Sequence, residues 1–298
     1  MLANIADENW FMNKSELVAR RTITFSMPKG GVSKMKKLLH LTALICLLTS
    51  PVYAEIVKQV VDIPTRPGVT QRFLVLAPEK AKAVAILFAG GHGGLQIGKE
   101  GNLSWGAKNF LVRTQRIFTE QGVMTILIDA PSDRQSSPFL SGFRQKPEHV
   151  TDVLSVIAWV REKQPKLPVW LVGTSRGTQS AAFIATELAG KPDGPDGIVL
   201  TSTILSDGKG RAVPEMPLEK LSIPVLVVHH KQDGCTHCDY KKAPLLLEKL
   251  SVSRRKELLP VDGGIDVGDP CEAMAYHGFD GIETDVIERV VAWMTKNN

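Results

Sequence analysis

Cysteine, tyrosine and long apolar runs are all scarce in this chain. Its 298 residues include four cysteines and three tyrosines, and aromatic residues make up 6%. Four cysteines are too few for a disulfide-stapled scaffold, and the length makes one unnecessary: 43% hydrophobic residues suffice for one large core. The longest apolar run, Leu38–Leu48, falls short of the ~20 residues that cross a membrane. The glycine-rich Gly90-Gly-His-Gly-Gly94 does not fit G-x-G-x-x-G and lacks the lysine of a phosphate-cradling loop, so no nucleotide cofactor is expected. Cys235-Thr-His-Cys238 has no second, equally organised ligand pair, which argues against a metal. As a redox motif it also lacks the thioredoxin-like setting such a pair needs.

An excess of positive charge is missing as well, once the N-terminus is set apart. Lys34-Met-Lys-Lys37, the apolar run to Leu48 and the exit Pro51-Val-Tyr-Ala54 read as a secretory signal cleaved after Ala54. Cys46 inside it lacks the small residue a lipid-attachment site wants before it, so no membrane anchor is expected. Residues 1–34 stand ahead of this signal as an upstream extension, with translation expected to start at Met35. Residues 1–54 carry seven Lys and Arg against three Asp and Glu. Of the chain's 36 basic and 31 acidic side chains, 29 and 28 remain beyond Ala54. That balance points away from nucleic acid and anionic membranes. The expectation is a periplasmic or secreted protein acting on a small-molecule or acyl substrate, with its oligomeric state open.

Residues 55–298 read as one α/β domain. Apolar runs bounded by turn residues predict eight strands, near 55–64, 70–78, 83–89, 123–129, 168–173, 197–204, 224–230 and 256–261. Pro67-Gly68 makes the first two an antiparallel edge hairpin; the rest alternate with helices, which implies a mostly parallel sheet covered on both faces. Helical stripes are expected near 105–120 (Phe110, Thr114, Ile117, Phe118), near 148–164 (Val150, Val153, Leu154, Ile157, Ala158) and at the end (Ile282, Val286, Val290, Trp293). The stretch Asp207–Ile223 is too short for a separate cap domain.

The informative pentapeptide is Gly173-Thr-Ser-Arg-Gly177, directly after the strand-like Pro168–Val172 and before a helix rich in small residues. A serine on so sharp a strand-to-helix turn points off the sheet with its Oγ exposed. Serine is a poor nucleophile at neutral pH unless a base takes its proton. Of six histidines beyond Ala54, His229 and His230 lie in or beside a strand, His149 precedes the turn, and His237 is too close to the acid. His277, just before the last helix, is the candidate base. Asp233, past the strand ending at His230, is the candidate acid, with Asp207 as competitor; Asp239 and Asp262 read as solvated. For the oxyanion, the loop after Phe88 offers the amide of Gly91 or its neighbour, and the turn offers that of Arg176.

With these residues in place, the chain resembles the α/β-hydrolase superfamily from Glu55 to its end, as a compact, lidless, exported bacterial member. It departs from the commonest pattern at Ala89, where many members carry His-Gly. The resemblance implies the α/β-hydrolase fold, a Ser175–His277–Asp233 triad, an acyl-enzyme intermediate and cleavage of carboxylic esters, without a cofactor. Peptidases and thioesterases share that triad, and a silent binding protein on the same fold is the alternative from another class.

Export leaves Cys235, Cys238 and Cys271 in an oxidising compartment. A disulfide from Cys235 or Cys238 to Cys271 would fasten the acid loop to the histidine loop, with Cys235 preferred; a Cys235–Cys238 bridge, three free thiols or a zinc site with His237 are the alternatives. In the long segment Ala130–His149, Arg134 and Arg144 read as solvated loop charges or as contacts for an anionic substrate group.

Overall fold

Strand β3 (Ala83–Phe88) is apolar at every position, and its alternate side chains enter two different cores. Val84, Ile86 and Phe88 point to one face of the sheet; Ala83, Ala85 and Leu87 point to the other. A strand buried on both sides needs cover on both sides, and that is the architecture observed. The structure is a computed structural model that describes residues 56–208 and 210–296. The expected extension 1–34, the signal 35–54 and Cys46 lie outside the described residues.

Eight strands form one sheet in the order β1-β2-β4-β3-β5-β6-β7-β8. They are β1 (Val57–Arg66), β2 (Val69–Ala77), β3, β4 (Val123–Ile128), β5 (Val169–Thr174), β6 (Gly197–Thr201), β7 (Val225–His230) and β8 (Lys256–Val261). β1 and β2 form the expected antiparallel hairpin through Pro67-Gly68, with Gly68 at φ +70°. β2 also runs antiparallel to β4, and every later pairing is parallel. β6 stops three residues earlier than its apolar run, because Ser202 turns to φ +44° and the Thr203 amide donates to His229 Nε2 at 2.8 Å.

Helices α3 (Pro147–Lys163) and α4 (Gly177–Glu187) cover one face; α1 (Phe110–Arg113), α2 (Gln115–Glu120) and α6 (Glu283–Thr295) cover the other. α5 (Pro244–Lys249) adds Leu246 to the first face. The single helix expected over 105–120 is two, broken at Thr114, whose hydroxyl donates to the Phe110 carbonyl at 2.7 Å. The core stripe of α3 is Val153, Val156, Ile157 and Val160, with Val150 and Leu154 at its margin. The expected Ala158 is exposed, because the buried arc is rotated from the predicted one. Between β6 and β7, two one-turn helices (213–215 and 218–220) bury Val213 and Leu218 in the main core, and the described residues build no separate cap there.

The strand-to-helix turn after β5 is where packing is tightest. A Cβ at Gly177 would collide with the carbonyl oxygen of Phe88, and one at Gly173 would lie 2.5 Å from the carbonyl oxygen of Gly177. Only residues without side chains let β3, β5 and α4 meet so closely. Gly177→Ala is therefore expected to cost about 3 kcal/mol or more, read as a lowered urea midpoint against the parent protein.

Candidate active site

Ser175 occupies this turn at φ +51°, a left-handed conformation that a non-glycine residue holds only under constraint. Its amide donates to Thr201 O at 3.0 Å, and its carbonyl accepts from the Thr178 amide at 2.9 Å and the Thr178 hydroxyl at 2.6 Å. The backbone is thus fixed on both sides, and the side chain lines a cavity of about 570 Å³. Leu103, Trp105, Phe110 and Ile204 give that cavity its apolar walls.

Asp233 follows β7 and is buried. Its Oδ1 accepts from the Cys235 amide at 2.9 Å, and its Oδ2 faces Nδ1 of His277 at 2.9 Å. The second ring nitrogen, Nε2 of His277, is buried and has no hydrogen-bond partner among the described residues. His277 and Ser175 line the same cavity. A carboxylate that accepts a hydrogen bond from Nδ1–H leaves Nε2 as the basic nitrogen, the tautomer that can accept a proton from a hydroxyl.

Asp207, the competing acid, lies elsewhere. It pairs with the guanidinium of Arg176 and accepts from Gln179 Nε2 at 3.0 Å. The remaining histidines are also occupied. His229 Nε2 accepts the Thr203 amide, and burial lowers its pKa to about 4. His149 Nε2 meets Ser180 Oγ at 3.0 Å, and burial, with Arg144 and Arg66 nearby, lowers its pKa to about 3. His230 stacks on Tyr276 with ring centroids 4.2 Å apart, bracing the segment that presents His277. His237 faces Ser206 O at 3.0 Å.

The histidine loop has further supports. Ser202 Oγ donates to the His277 carbonyl at 2.6 Å. Cys235 and Cys271 form a disulfide with Cα atoms 4.5 Å apart, joining the acid loop to the histidine loop. Cys238, the alternative partner, is a buried free thiol that donates to Ser202 O at 3.3 Å, and burial pushes its pKa well above the usual thiol value. The sulfurs of Cys235 and Cys238 and a ring nitrogen of His277 lie within 4.8 Å of one another. With Cys235 oxidised, Cys238 held as a thiol and Nδ1 of His277 on Asp233, these three do not make a metal ligand set.

Across the cavity, Gly90 and Gly91 run against the turn. A Cβ at Gly90 would lie 3.0 Å from Cβ of Ser175. Neither the Gly91 nor the Arg176 amide donates to another group among the described residues, and both residues line the cavity. Two side chains outside the triad set this loop. Asp129, at the end of β4, accepts the amides of Leu95, Gln96, Ile97 and Ala130 at 2.7–3.1 Å. Arg144 is buried, neither solvated nor open to a substrate as a free arm. It donates to Ser180 Oγ at 3.0 Å, Ala89 O at 2.9 Å and Gly91 O at 3.1 Å. Sequence patterns single out neither role; the only local hint is a carboxylate directly at a strand end. Arg134 is exposed, 4.7 Å over the Phe143 ring.

Two outcomes are expected here. The disulfide closes a loop with a sequence separation of 36, for which chain entropy predicts about 4 kcal/mol. Cys271→Ser should therefore lower the urea midpoint strongly, and adding reductant should then have little further effect. His149 and His229 have folded pKa values below the ordinary 6.5, so the stability they contribute is present above that pH and lost as pH falls towards 4 and 3. Between pH 6.5 and 5, above the usual carboxylate range, unfolding should become easier by up to about 1.4 kcal/mol per pH unit for each proton taken up. His149→Gln should flatten that slope.

The sequence matches no protein-family model and no curated protein. Solved structures do match. The structure is similar to a fungal esterase from Rhizomucor miehei (14% identity, TM-score 0.57, covering 87% of this chain and 89% of that one). It is similar to a dienelactone hydrolase from Anabaena variabilis (13%, 0.56, 80% and 97%) and to an esterase from Pyrococcus furiosus (12%, 0.56, 80% and 92%). These likenesses, together with an eight-stranded, mostly parallel sheet covered by helices on both faces, identify the architecture: this chain has the α/β-hydrolase fold.

Proposed function

We propose that the protein is an exported serine hydrolase that cleaves carboxylic esters. One observation carries the reading: a buried Asp233–His277 pair at 2.9 Å leaves Nε2 of His277 without a hydrogen-bond partner among the described residues, and His277 and Ser175 line the same cavity. In this mechanism His277 takes the proton of Ser175 as Oγ attacks the ester carbonyl. The resulting oxyanion is held by the amides of Gly91 and Arg176. His277 then protonates the leaving alcohol, and water, deprotonated by the same imidazole, releases the acid from the acyl-enzyme. Asp233 keeps the ring in the useful tautomer and offsets the imidazolium charge. Esterases among the similar folds support ester over amide or thioester bonds. The disulfide supports export, because such bonds persist in oxidising compartments.

Ser175→Ala should abolish hydrolysis of activated acyl esters and labelling by a fluorophosphonate, with little change in thermal stability. His277→Gln and Asp233→Asn should each lose activity, and the combined losses should be far from additive. Undiminished turnover by Ser175→Ala would remove the assignment. A parent protein that neither turns over esters nor takes the label would instead be the silent binding protein. Comparing acyl esters with matched amides and thioesters separates the esterase from a peptidase or thioesterase. Material recovered from outside the cytoplasm should begin at Glu55.

A further inference from the structure

A second cavity, also about 570 Å³, lies beside the first and shares Gly91 and Arg176 with it. Its lining is of a different character. Arg144, Lys146, Arg176 and Arg211 all line it, and among the described residues the only carboxylate there is Asp207, which pairs with Arg176. Among the described residues, Arg144, Lys146 and Arg211 have no carboxylate at ion-pair distance. Arg144 is buried and is met only by dipoles, those of Ser180, Ala89 and Gly91, which leave its charge uncancelled. Arg211 is exposed but held: its Nε donates to Gln145 Oε1 at 3.1 Å, and its guanidinium lies 5.5 Å over the Phe183 ring.

Removing a guanidinium from water without an opposite charge is costly, so a buried unpaired cation beside an open cavity marks a place where an anion is attracted. Low-dielectric walls concentrate that attraction. The other cavity, walled by Leu103, Trp105, Phe110 and Ile204, has no such excess. Ser175 stands where the two meet, because its neighbours Arg176 and Gly91 line both.

We propose that the substrate is an ester bearing a carboxylate, with its charge held by Lys146 and Arg211 in the field of the buried Arg144 and its uncharged part in the Trp105–Ile204 cavity. The proposal rests on the esterase reading and specifies the substrate class for that same site. Positive potential around Arg144 is also felt by its neighbours: burial and then Arg144 lower the pKa of His92. Guanidinium groups suit a carboxylate because their paired N–H groups match its two oxygens.

The test compares kcat/KM for isosteric pairs on the purified protein. One arm places the charge on the acyl side, with aryl monoesters of short dicarboxylic acids against aryl esters of monocarboxylic acids of equal length. The other places it on the alcohol side, with acetyl esters of hydroxy acids against acetyl esters of plain alcohols. In one arm the charged ester should be favoured at least tenfold, and the preference should shrink as salt is raised. Arg211→Gln should cut that ratio at least fivefold, Lys146→Gln should also reduce it, and Arg211→Lys should restore part of it. Equal or better turnover of the neutral ester in both arms would overturn the proposal, as would a preference that Arg211→Gln leaves untouched. A protein that labels with fluorophosphonate and cleaves neutral esters without preference would lose only this proposal. One that does neither would lose the esterase reading as well, and this proposal with it.

Discussion

The close crossing of β3, β5 and α4 is the constraint from which the site follows. Gly177 rests against the carbonyl of Phe88 with no room for a Cβ, and Gly173 rests against Gly177 in the same way. That contact forces the chain to reverse within the few residues between them, and Ser175 takes up the reversal at φ +51°. Strain of this kind costs of order 1–3 kcal/mol and persists only where surrounding structure over-determines it. Here the determinants are visible: the sheet bond to Thr201 O on one side and the double donation from Thr178 on the other. The same crossing brings the end of β3 beside the serine, so Gly90 lies against Cβ of Ser175. Nucleophile turn and oxyanion loop are therefore one packing event.

The third loop is secured differently. His277 comes from a segment with few core residues, and its position is imposed by cross-links of separate chemical kinds. Cys271 is bonded to Cys235, Tyr276 stacks on His230, and the carbonyl of His277 takes the Ser202 hydroxyl. Two of these anchors, His230 and Cys235, flank Asp233. The acid and the histidine are consequently tied to each other, which holds a hydrogen bond at 2.9 Å between residues that are 44 apart in sequence. Pre-organisation of this sort matters because a catalytic pair displaced by an ångström loses much of its effect.

What could be read from the residues was whatever obeys a local rule. The eight strands, their hairpin and their covered faces follow from apolar runs and turn residues, and the Gly-x-Ser-x-Gly turn follows from steric need. Boundaries set by tertiary bonds were not legible. β6 stops at Thr201 because the amide of Thr203 finds His229, and the helix over 105–120 breaks where Thr114 bonds back to Phe110. On α3 the periodicity places Val153 and Ile157 inward as observed, but Val156 and Val160 fill the space and leave Ala158 exposed. Cys235 and Cys238 were nearly equivalent on the page of sequence; only the placement of Cys238 under Ser202 separates them. The burial of Arg144 has no sequence signature at all, because no spacing rule says that a loop arginine turns inward.

That arginine explains an asymmetry in the site. Its guanidinium takes the carbonyl oxygens of Ala89 and Gly91, so the peptide dipoles of the glycine-rich loop are oriented with oxygens inward to Arg144. Burial and the neighbouring Arg176 lower its pKa only to about 9, leaving it charged at neutral pH. A carboxylate in its place of contact would have neutralised that charge; backbone carbonyls and a serine hydroxyl do not. The field consequently reaches the loop whose amides face the cavity, where negative charge would develop on a carbonyl oxygen under attack. A single buried cation thus serves two ends, holding the loop's shape and biasing the cavity it lines toward negative groups, and the second follows from the first because dipoles orient a charge without cancelling it.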